Sequence, residues 1–297
     1  ESSEFPPLPF LEGTLVKNPD MQPDDQRELT SELTNYAVDF IERHQEEPFL
    51  LYLAHPKPHV PLYVSKQFEG ASGEGLFADV MMEIDWSVGE VVRALDEAQL
   101  TETTWIVFAS DNGPWLTYGN HAGRAAPFRE GKFTTFEGGT RVPLVMRFPG
   151  YIPAGATNSS TFMNIDILPT FAALVGAEFP VAPIDGQDIW NTLVDGEHSP
   201  QEAYYLWNGE ELEAVLTDKW KLHLPHAYQT VAASGADGKR GTTELAELPL
   251  SLFELARDPG ETKNVASEHP ELVRELSDLA FAHQAELRSH QREPGRL

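Results

Sequence analysis

The order of hydrophobic and polar positions predicts helices that alternate with buried strands over the first two thirds of the chain. Apolar residues recur at helical spacing over 24–45, 76–95 and 166–175. Continuous apolar runs, typical of strands buried on both faces, lie at 49–54, 104–109 and 142–148. This alternation predicts an α/β fold with a three-layer, mostly parallel sheet and helices on both faces.

The pattern changes near residue 196. Short apolar runs at 203–207, 215–224 and 251–255 and a periodic run at 270–288 predict a small antiparallel sheet with one helix. We therefore expect an α/β domain over 1–196 and a small α+β subdomain over 197–297. Two segments are expected to be irregular, the proline-rich 1–22 and a mobile surface loop at 229–247.

Polar residues follow two of the buried strands directly. His55 and His59 follow the run at 49–54, and Asp111 and Asn112 follow the run at 104–109. In open α/β sheets, ligands bind beyond the carboxyl ends of the strands. This coincidence indicates a functional site at that edge of the sheet.

Each of these residues also has an ordinary interpretation. Asp111 and Asn112 offer hard oxygen ligands suited to calcium or magnesium, but Asp-Asn-Gly is more often only a turn. The loop that carries His59 is stiffened by prolines and could be plain surface. Lys132 lies among glycines that would let an anion approach, although a solvated lysine is the favoured explanation when it is taken singly.

Taken in chain order, the motifs resemble those of the type I sulfatases, which belong to the alkaline phosphatase superfamily. The sequence contains Pro-His-Val-Pro around His59, Ser-Asp-Asn-Gly-Pro around Asp111, and Gly-Lys-Phe-Thr-Thr-Phe-Glu-Gly-Gly around Lys132. Further similarity lies at 82–85, 166–170, 185–186 and 252–261. The resemblance extends over nearly the whole chain, so that 1–196 is expected to be the C-terminal part of a sulfatase catalytic domain.

The resemblance implies hydrolysis of sulfate esters, with a sulfated glycan or an aryl sulfate as the substrate. It implies that Asp111 and Asn112 bind calcium, in preference to magnesium. It also implies that Lys132 binds the sulfate and that His59 contacts the ester near its leaving oxygen. His121 and Arg124 are implied as substrate-side residues, with packing of their own loop as the equal alternative.

The nucleophile of this family is a formylglycine made from Cys or Ser in a Cys/Ser-x-Pro-x-Arg motif, and the 297 residues contain neither a cysteine nor that motif. We expect an N-terminal segment of the same protein to supply the nucleophile and further calcium ligands. This chain alone is then expected to be inactive. It is also expected to need that segment for stability, because the sheet would otherwise expose an edge and an uncovered core face.

The composition of the chain disfavours some classes of binding partner and some cellular compartments. Acidic residues outnumber basic ones by 47 to 21, a formal charge of -26 that disfavours nucleic acid. No apolar run is long enough to predict a membrane span. The absence of cysteine disfavours a disulfide-rich secreted protein and is compatible with an enzyme exported to a bacterial periplasm or to the medium.

Two other functions remain open from the sequence. A phosphate or phosphonate ester hydrolase of the same superfamily would share the fold, although the motif around Lys132 favours sulfate. A non-catalytic binding protein would follow if the complete gene lacked the nucleophile motif.

Overall fold

A computed structural model describes residues 7–178 and 184–290 of the chain. These residues form two units. The first unit extends to Thr104 and also takes in Tyr118–Ala122 and Gly235–Arg240, while the second contains the remaining residues from Trp105 onward.

Six helices and ten strands lie in the described residues. The helices are α1 (Pro23–Arg43), α2 (Leu76–Glu97), α3 (Glu137–Thr140), α4 (Ile167–Leu174), α5 (Trp190–Val194) and α6 (Pro270–His290). The strands are β1 (Phe10–Glu12), β2 (Leu15–Asn18), β3 (Ile106–Ala109), β4 (Leu144–Arg147), β5 (Tyr204–Asn208), β6 (Glu211–Leu216), β7 (Trp220–His223), β8 (His226–Ala233), β9 (Thr242–Leu248) and β10 (Ser251–Glu254). All four long helices predicted from the sequence are confirmed, as is the α/β class.

The domain boundary expected at residue 196 stays a prediction. The two expected domains include residues 1–6, 179–183 and 291–297, which lie outside the described part of the chain. No helix among the described residues combines the length and the apolar character that crossing a membrane requires.

Helices α1 and α2 of the first unit pack together along a partly polar stripe. Ile41 on α1 and Val80 on α2 are buried. Between the helices, Thr34 Oγ1 and Ser87 Oγ lie 2.6 Å apart, and His55 Nε2 lies 3.0 Å from the same Ser87 oxygen. This buried hydrogen-bonded chain connects the helix pair to the loop that carries His59.

The segment 49–54 forms no strand in the structure, so the predicted strand is wrong there. Half-buried and exposed side chains alternate along it, and Leu50 and Tyr52 are 69% and 88% exposed. A strand requires a hydrogen-bonded neighbour, and the described residues contain none for this segment. The sequence therefore shows the pattern of a buried strand without the pairing that would make it one.

Strands β3 and β4 pair antiparallel, with Ile106 opposite Arg147 and Ala109 opposite Leu144. Both strands were predicted, but the expected parallel arrangement is absent from the described residues, where every strand pair is antiparallel. A parallel connection needs a long crossover, usually a helix. Between β3 and β4 the chain forms only a short 3-10 turn and the four-residue α3.

A four-stranded antiparallel sheet, in the order β10-β7-β6-β5, lies at the centre of the second unit. One face packs on α6 through a buried apolar cluster that consists of Ala203, Leu212, Val215, Leu222, Leu252, Leu276 and Ala280. The other face carries a second apolar cluster that includes Leu206 and Phe253. Because both faces are covered, the sheet is a buried core element.

The structure corrects the prediction in three segments, one expected to be a single strand and two expected to be irregular. The single strand predicted at 215–224 is two strands, since a turn closed by Thr217 N donating to Trp220 O at 2.9 Å separates β6 from β7. The loop predicted at 229–247 is most of the β8–β9 hairpin, in which Tyr228 lies opposite Ala246. Within 1–22, the chain forms the β1–β2 hairpin, which turns at Gly13 with a φ of 58°.

Charged side chains are buried on the sheet face that lies away from α6. Lys221 and His223 flank Leu222 on β7, so they lie on the face opposite to it, and both are 0% exposed. Lys221 Nζ lies 2.8 Å from Glu137 Oε1 and 3.3 Å from Glu261 Oε1. His223 Nε2 lies 2.8 Å from Glu261 Oε1. We call Lys221, His223, Glu137 and Glu261 the buried charge cluster.

Burial determines the protonation of this cluster. It lowers the pKa of His223 to about 4, since the imidazolium would lose its hydration; the hydrogen bond with Glu261 opposes this effect and the charge of Lys221 adds to it. Burial acts to raise the pKa of Glu261, but the hydrogen bond with His223 and the charge of Lys221 outweigh it and hold that pKa below its ordinary value. At neutral pH, a neutral His223 therefore donates from Nε2 to an ionised Glu261.

The lowered pKa of His223 predicts that stability depends on pH. Between pH 6.5 and about pH 4, the unfolded chain binds a proton that the folded chain does not. This contribution to stability is complete above pH 6.5 and is lost as the pH falls toward 4. When the pH is lowered from about 7 to about 5, the unfolding free energy of both proteins should fall. We expect the fall to be about 2 kcal/mol smaller in His223→Gln than in the unmodified protein, as measured by urea denaturation.

His290→Gln, at an exposed position on the last turn of α6, is the matched control and should keep the pH dependence of the unmodified protein. Because the pKa of Glu261 is lowered, protonation of Glu261 destabilises the folded protein only at pH values below the ordinary 4.5, which lie outside the tested range. Equal pH dependence of His223→Gln and the unmodified protein would contradict the burial of a neutral imidazole.

Candidate active site

The turn formed by Asp111, Asn112 and Gly113 follows the end of β3 directly. Asp111 Oδ1 accepts a hydrogen bond from the backbone N of Asn112 at 2.9 Å, and Asn112 Nδ2 donates to Gly113 O at 3.0 Å. With its amide nitrogen used in this way, Asn112 has its amide oxygen for a ligand. Asn164 Nδ2 donates to Ser110 O at 3.2 Å and tethers the turn to the segment before α4. The turn thus offers oxygen ligands from two adjacent residues.

Lys132 lies in the segment 129–139, which we call the lysine loop. Its backbone N donates to Pro114 O, one residue beyond the turn, at 2.9 Å. Lys132 Nζ lies 5.5 Å from the ring centre of Trp115 and 5.4 Å from that of Phe133. The two rings meet edge to face with their centres 5.1 Å apart. The half-buried ammonium is therefore held by two aromatic rings, which attract a cation through their π faces.

Glycines let the turn and the lysine loop touch backbone to backbone. Gly113 N donates to Gly139 O at 2.9 Å. A Cβ atom on Gly113 would lie 1.8 Å from Gly138 O, and one on Gly131 would lie 2.3 Å from Pro114 O. No side chain fits at such distances, so the two segments close only because these residues are glycine. This contact places Asp111, Asn112 and Lys132 on neighbouring segments of the same unit.

The backbone on both sides of Lys132 is strained. Glu130 and Phe133 have φ values of 56° and 72°, in the left-handed region that non-glycine residues rarely adopt. Such a conformation costs about 1–3 kcal/mol per residue and persists only where the surroundings fix it. One fixing contact comes from β8, where Thr230 Oγ1 donates to Glu130 Oε1 at 2.8 Å.

His59 lies in the first unit and is exposed. Its Nδ1 lies 2.7 Å from Val60 O, and because a carbonyl oxygen only accepts, Nδ1 carries the proton. The loop is anchored by the buried Lys57, whose Nζ lies 3.2 Å from Glu83 Oε2 on α2. Burial, together with the charge of Lys57, lowers the pKa of His55. The expected convergence of His59 with the residues of the second unit stays a prediction.

His121 belongs to the first unit and Arg124, which is exposed, to the second. Next to His121, Asn120 Nδ2 donates to Asp237 Oδ1 and Asp237 N donates to Asn120 Oδ1, both at 2.9 Å. His121 Nδ1 is buried without a hydrogen-bond partner in the described part of the chain. The substrate roles of His121 and Arg124 stay predictions. Sequence reasoning did not reveal Asp237, since it lies 117 residues from Asn120.

The oxygen atoms of Asp111 and Asn112 fit part of a calcium site. Calcium takes six to eight oxygen ligands from carboxylates, amides, carbonyls and water, so about two of them would come from this turn. Within residues 7–178 and 184–290, no group of three or more His, Cys, Asp or Glu residues is arranged to hold a metal ion. The turn has the right donor chemistry, and it would supply part of the oxygen ligand set that calcium takes.

Comparison with known sequences identifies two family matches. Residues 9–177 match the sulfatase family, and residues 199–296 match the C-terminal region of aryl-sulfatase. Residues 130–232 also match the C-terminal region of N-sulphoglucosamine sulphohydrolase. The first match alone covers more than half of the chain.

Two similar proteins show the level of identity. An N-acetylgalactosamine-6-O-sulfatase of Bacteroides thetaiotaomicron is 35% identical over 263 residues, which are 83% of this chain and 49% of that protein. Arylsulfatase A of Homo sapiens is 33% identical over 287 residues, which are 92% of this chain and 56% of that protein. The chain therefore spans about half the length of the curated relatives it matches.

The fold agrees with these matches. The crystal structure of a sulfatase from Pseudoalteromonas sp. superposes with a TM-score of 0.84 at 28% identity, over 92% of this chain and 56% of that one. The motifs around Asp111 and Lys132 thus lie in a sequence and a fold that match sulfatases over 92% of this chain. The chain belongs to the sulfatase family.

Proposed function

We propose that the protein hydrolyses sulfate esters and that this chain supplies much of the pocket. The observation that carries the proposal is the glycine contact that joins the Asp111–Asn112 turn to the lysine loop, with Gly113 N donating to Gly139 O at 2.9 Å. This contact brings oxygen ligands and an ammonium onto neighbouring backbone segments. A metal cation and an ammonium in one pocket suit a tetrahedral anion, in spite of the acidity of the chain as a whole.

Lys132 is assigned to the sulfate. An ammonium acts as a compact point charge with three donors, and it attracts an anion more strongly when aromatic rings keep part of the water away. Trp115 and Phe133 supply those rings. During ester cleavage the charge on the sulfuryl group is redistributed, and a fixed cation at that point lowers the barrier.

Calcium is assigned to the oxygen atoms of Asp111 and Asn112. When bound there, the ion supplies additional positive charge at the sulfate oxygens. The two residues themselves hold the turn in shape, through the hydrogen bond from Asn112 N to Asp111 Oδ1 at 2.9 Å. The ligand oxygens are therefore positioned before the ion arrives.

His59 is assigned to the leaving group. Its Nδ1 donates to Val60 O at 2.7 Å, so Nε2 is the ring atom assigned to the ester oxygen. A hydroxyl leaving group needs a proton as it departs, and because Nδ1 already donates to Val60 O, Nε2 can supply that proton only from the doubly protonated ring. His121 and Arg124 are assigned to the rest of the leaving group, where a guanidinium and a second imidazole can hydrogen-bond a sugar or an acid group.

The nucleophile is assigned to an N-terminal segment of the same protein, as a formylglycine, because the 297 residues contain no cysteine and no Cys/Ser-x-Pro-x-Arg motif. This chain alone is then inactive. Exposed apolar side chains support docking of such a segment, since Leu50, Tyr52 and Val145 are 69%, 88% and 64% exposed. Exposed apolar surface of this kind favours a covering partner.

We propose a sulfated glycan as the natural substrate and aryl sulfates as test substrates. The relatives named above are an N-acetylgalactosamine-6-O-sulfatase and an arylsulfatase A. A protein that acts on extracellular glycans would be exported, and a chain without cysteine folds equally well in an oxidising compartment. Export to the periplasm or the medium is therefore part of this proposal.

Replacement of Lys132 tests the sulfate assignment. In the full-length protein, we expect Lys132→Met to lower kcat/KM for a chromogenic aryl sulfate by at least about 100-fold, because a charge aimed at the transition state is lost. Lys263→Met is the matched control, since that lysine is 70% exposed, and should keep full turnover. An unchanged kcat/KM in Lys132→Met would remove the lysine from the site.

Replacement of Asp111 tests the metal assignment. We expect the unmodified full-length protein to lose turnover on chelation and to recover it with added calcium, while Asp111→Ala stays about 100-fold lower at every calcium concentration. Asp278→Ala, at an exposed position on α6, is the control and should respond to calcium as the unmodified protein does. Full activity of Asp111→Ala, or faster turnover of the matching aryl phosphate, would contradict the proposed reaction.

A further inference from the structure

The buried charge cluster lies directly beneath the lysine loop. Lys221 Nζ donates to Thr135 O at 2.9 Å and lies 2.8 Å from Glu137 Oε1, so a single ammonium binds two residues at the end of the loop. Glu261 Oε2 accepts the backbone N–H of Glu137 at 2.6 Å. The first turn of α3, where the loop ends, is therefore held by the ammonium of Lys221 and by the carboxylate of Glu261.

The beginning of the lysine loop is also bound to Glu261. Arg129 Nη1 donates to the backbone oxygen of Glu261 at 3.1 Å, and Arg129 Nη2 donates to Tyr228 OH at 2.7 Å. The guanidinium also lies 4.1 Å from the ring centre of Phe136, which stacks on His223. Glu261 thus binds both ends of the loop, one with its side chain and the other with its main chain.

Backbone strain coincides with these contacts. The described residues include five non-glycine residues with positive φ, and three of them, Glu130, Phe133 and Glu261, lie in the lysine loop or in this cluster. Glu130 and Phe133 are the near neighbours of Lys132 along the chain. Strained backbone persists only where the surroundings over-determine it. The contacts to Glu261 and Lys221 supply that constraint from below.

Burial makes these contacts specific. Lys221 and Glu261 are 0% exposed and Glu137 is 5% exposed, so no water competes for their hydrogen bonds. An apolar side chain of similar volume would hold the sheet as well as a buried ion pair does. It would not fix the positions of the Thr135 carbonyl and the Glu137 amide. The charges are therefore better explained by the geometry of the loop than by the stability of the sheet.

We propose that Lys221 and Glu261 are positioning residues for Lys132: through Thr135, Glu137 and Arg129 they hold the strained lysine loop in the conformation that presents the Lys132 ammonium. This inference rests on the proposed sulfate-binding role of Lys132. Neither residue is assigned a contact with the substrate. His223 supports the arrangement, since its Nε2 donates to Glu261 Oε1 at 2.8 Å.

The test uses Lys221→Met and Glu261→Gln in the full-length protein, with Lys221→Arg as the conservative variant. We expect kcat for an aryl sulfate to fall about 10- to 100-fold in Lys221→Met and Glu261→Gln, since a displacement of about 1 Å costs that much. Inhibition by inorganic sulfate should weaken in parallel, and amide hydrogen exchange over 129–139 should become faster. Lys221→Arg, which keeps a cation with donors, should recover part of kcat.

Leu276→Ala is the control for a merely structural effect. Leu276 is 2% exposed in the apolar cluster on the other face of the same sheet. We expect it to lower the melting temperature at least as much as the two cluster variants, while kcat, sulfate inhibition and exchange over 129–139 stay within about threefold of the unmodified protein, as for a site away from the chemistry.

The outcomes separate the two proposals. If Lys132→Met lowers turnover but Lys221→Met and Glu261→Gln act no more strongly than Leu276→Ala, the positioning role is overturned and the proposed function stands. If Lys132→Met itself leaves turnover and sulfate inhibition unchanged, the proposed function fails and the positioning role fails with it. Faster exchange over 129–139 together with lower kcat in the cluster variants alone would support the inference.

Discussion

The site depends on the close approach of two backbone segments. Gly113 and the Gly138–Gly139 pair lie so near each other that a Cβ atom on Gly113 would come within 1.8 Å of Gly138 O. The turn at the end of β3 and the lysine loop therefore act as one structural piece. The roles proposed for Asp111 and Lys132 depend on this contact, since it places an oxygen ligand and a cation on neighbouring segments.

Two faces of one sheet perform different tasks in the second unit. The face on α6 is apolar and buries Leu222 and Leu276, which stabilises the fold in the ordinary way. The opposite face carries Lys221, whose partners Thr135 and Glu137 lie at the end of the lysine loop, and His223, whose partner is Glu261. Because burial lowers the pKa of His223 to about 4, this polar face keeps its hydrogen-bond pattern at neutral pH. The C-terminal sheet is thus a support for the site as well as a core.

The sequence predicted the helices and the position of the Asp111 turn directly after a strand, because both depend on local pattern. The period of apolar residues identifies a helix such as α6, and a polar residue directly after an apolar run identifies a strand tip. The resemblance to the sulfatase motifs named Lys132 as a site residue, and its role stays a prediction. What the sequence could not predict depends on contacts between distant residues, and Lys221 lies 86 residues from Thr135, whose carbonyl it binds.

The errors have the same physical origin. The hairpin of β8 and β9 was expected to be a mobile loop, since its Ala, Thr and Glu residues carry little apolar signal, and only cross-strand pairing such as Tyr228 with Ala246 makes it regular. The run at 49–54 shows the reverse case, an apolar pattern without a neighbouring strand among the described residues. Pairing partners, which a single sequence does not name, decided both outcomes.

The most direct measurement is an experimental structure of the full-length protein with calcium and inorganic sulfate bound. The account predicts one calcium ion about 2.4 Å from oxygen atoms of Asp111 and Asn112. It also predicts a sulfate about 2.8 Å from Lys132 Nζ, with the His59 imidazole on the same anion. Calcium or sulfate bound to other residues, with His59 and Lys132 on separate surfaces, would contradict it.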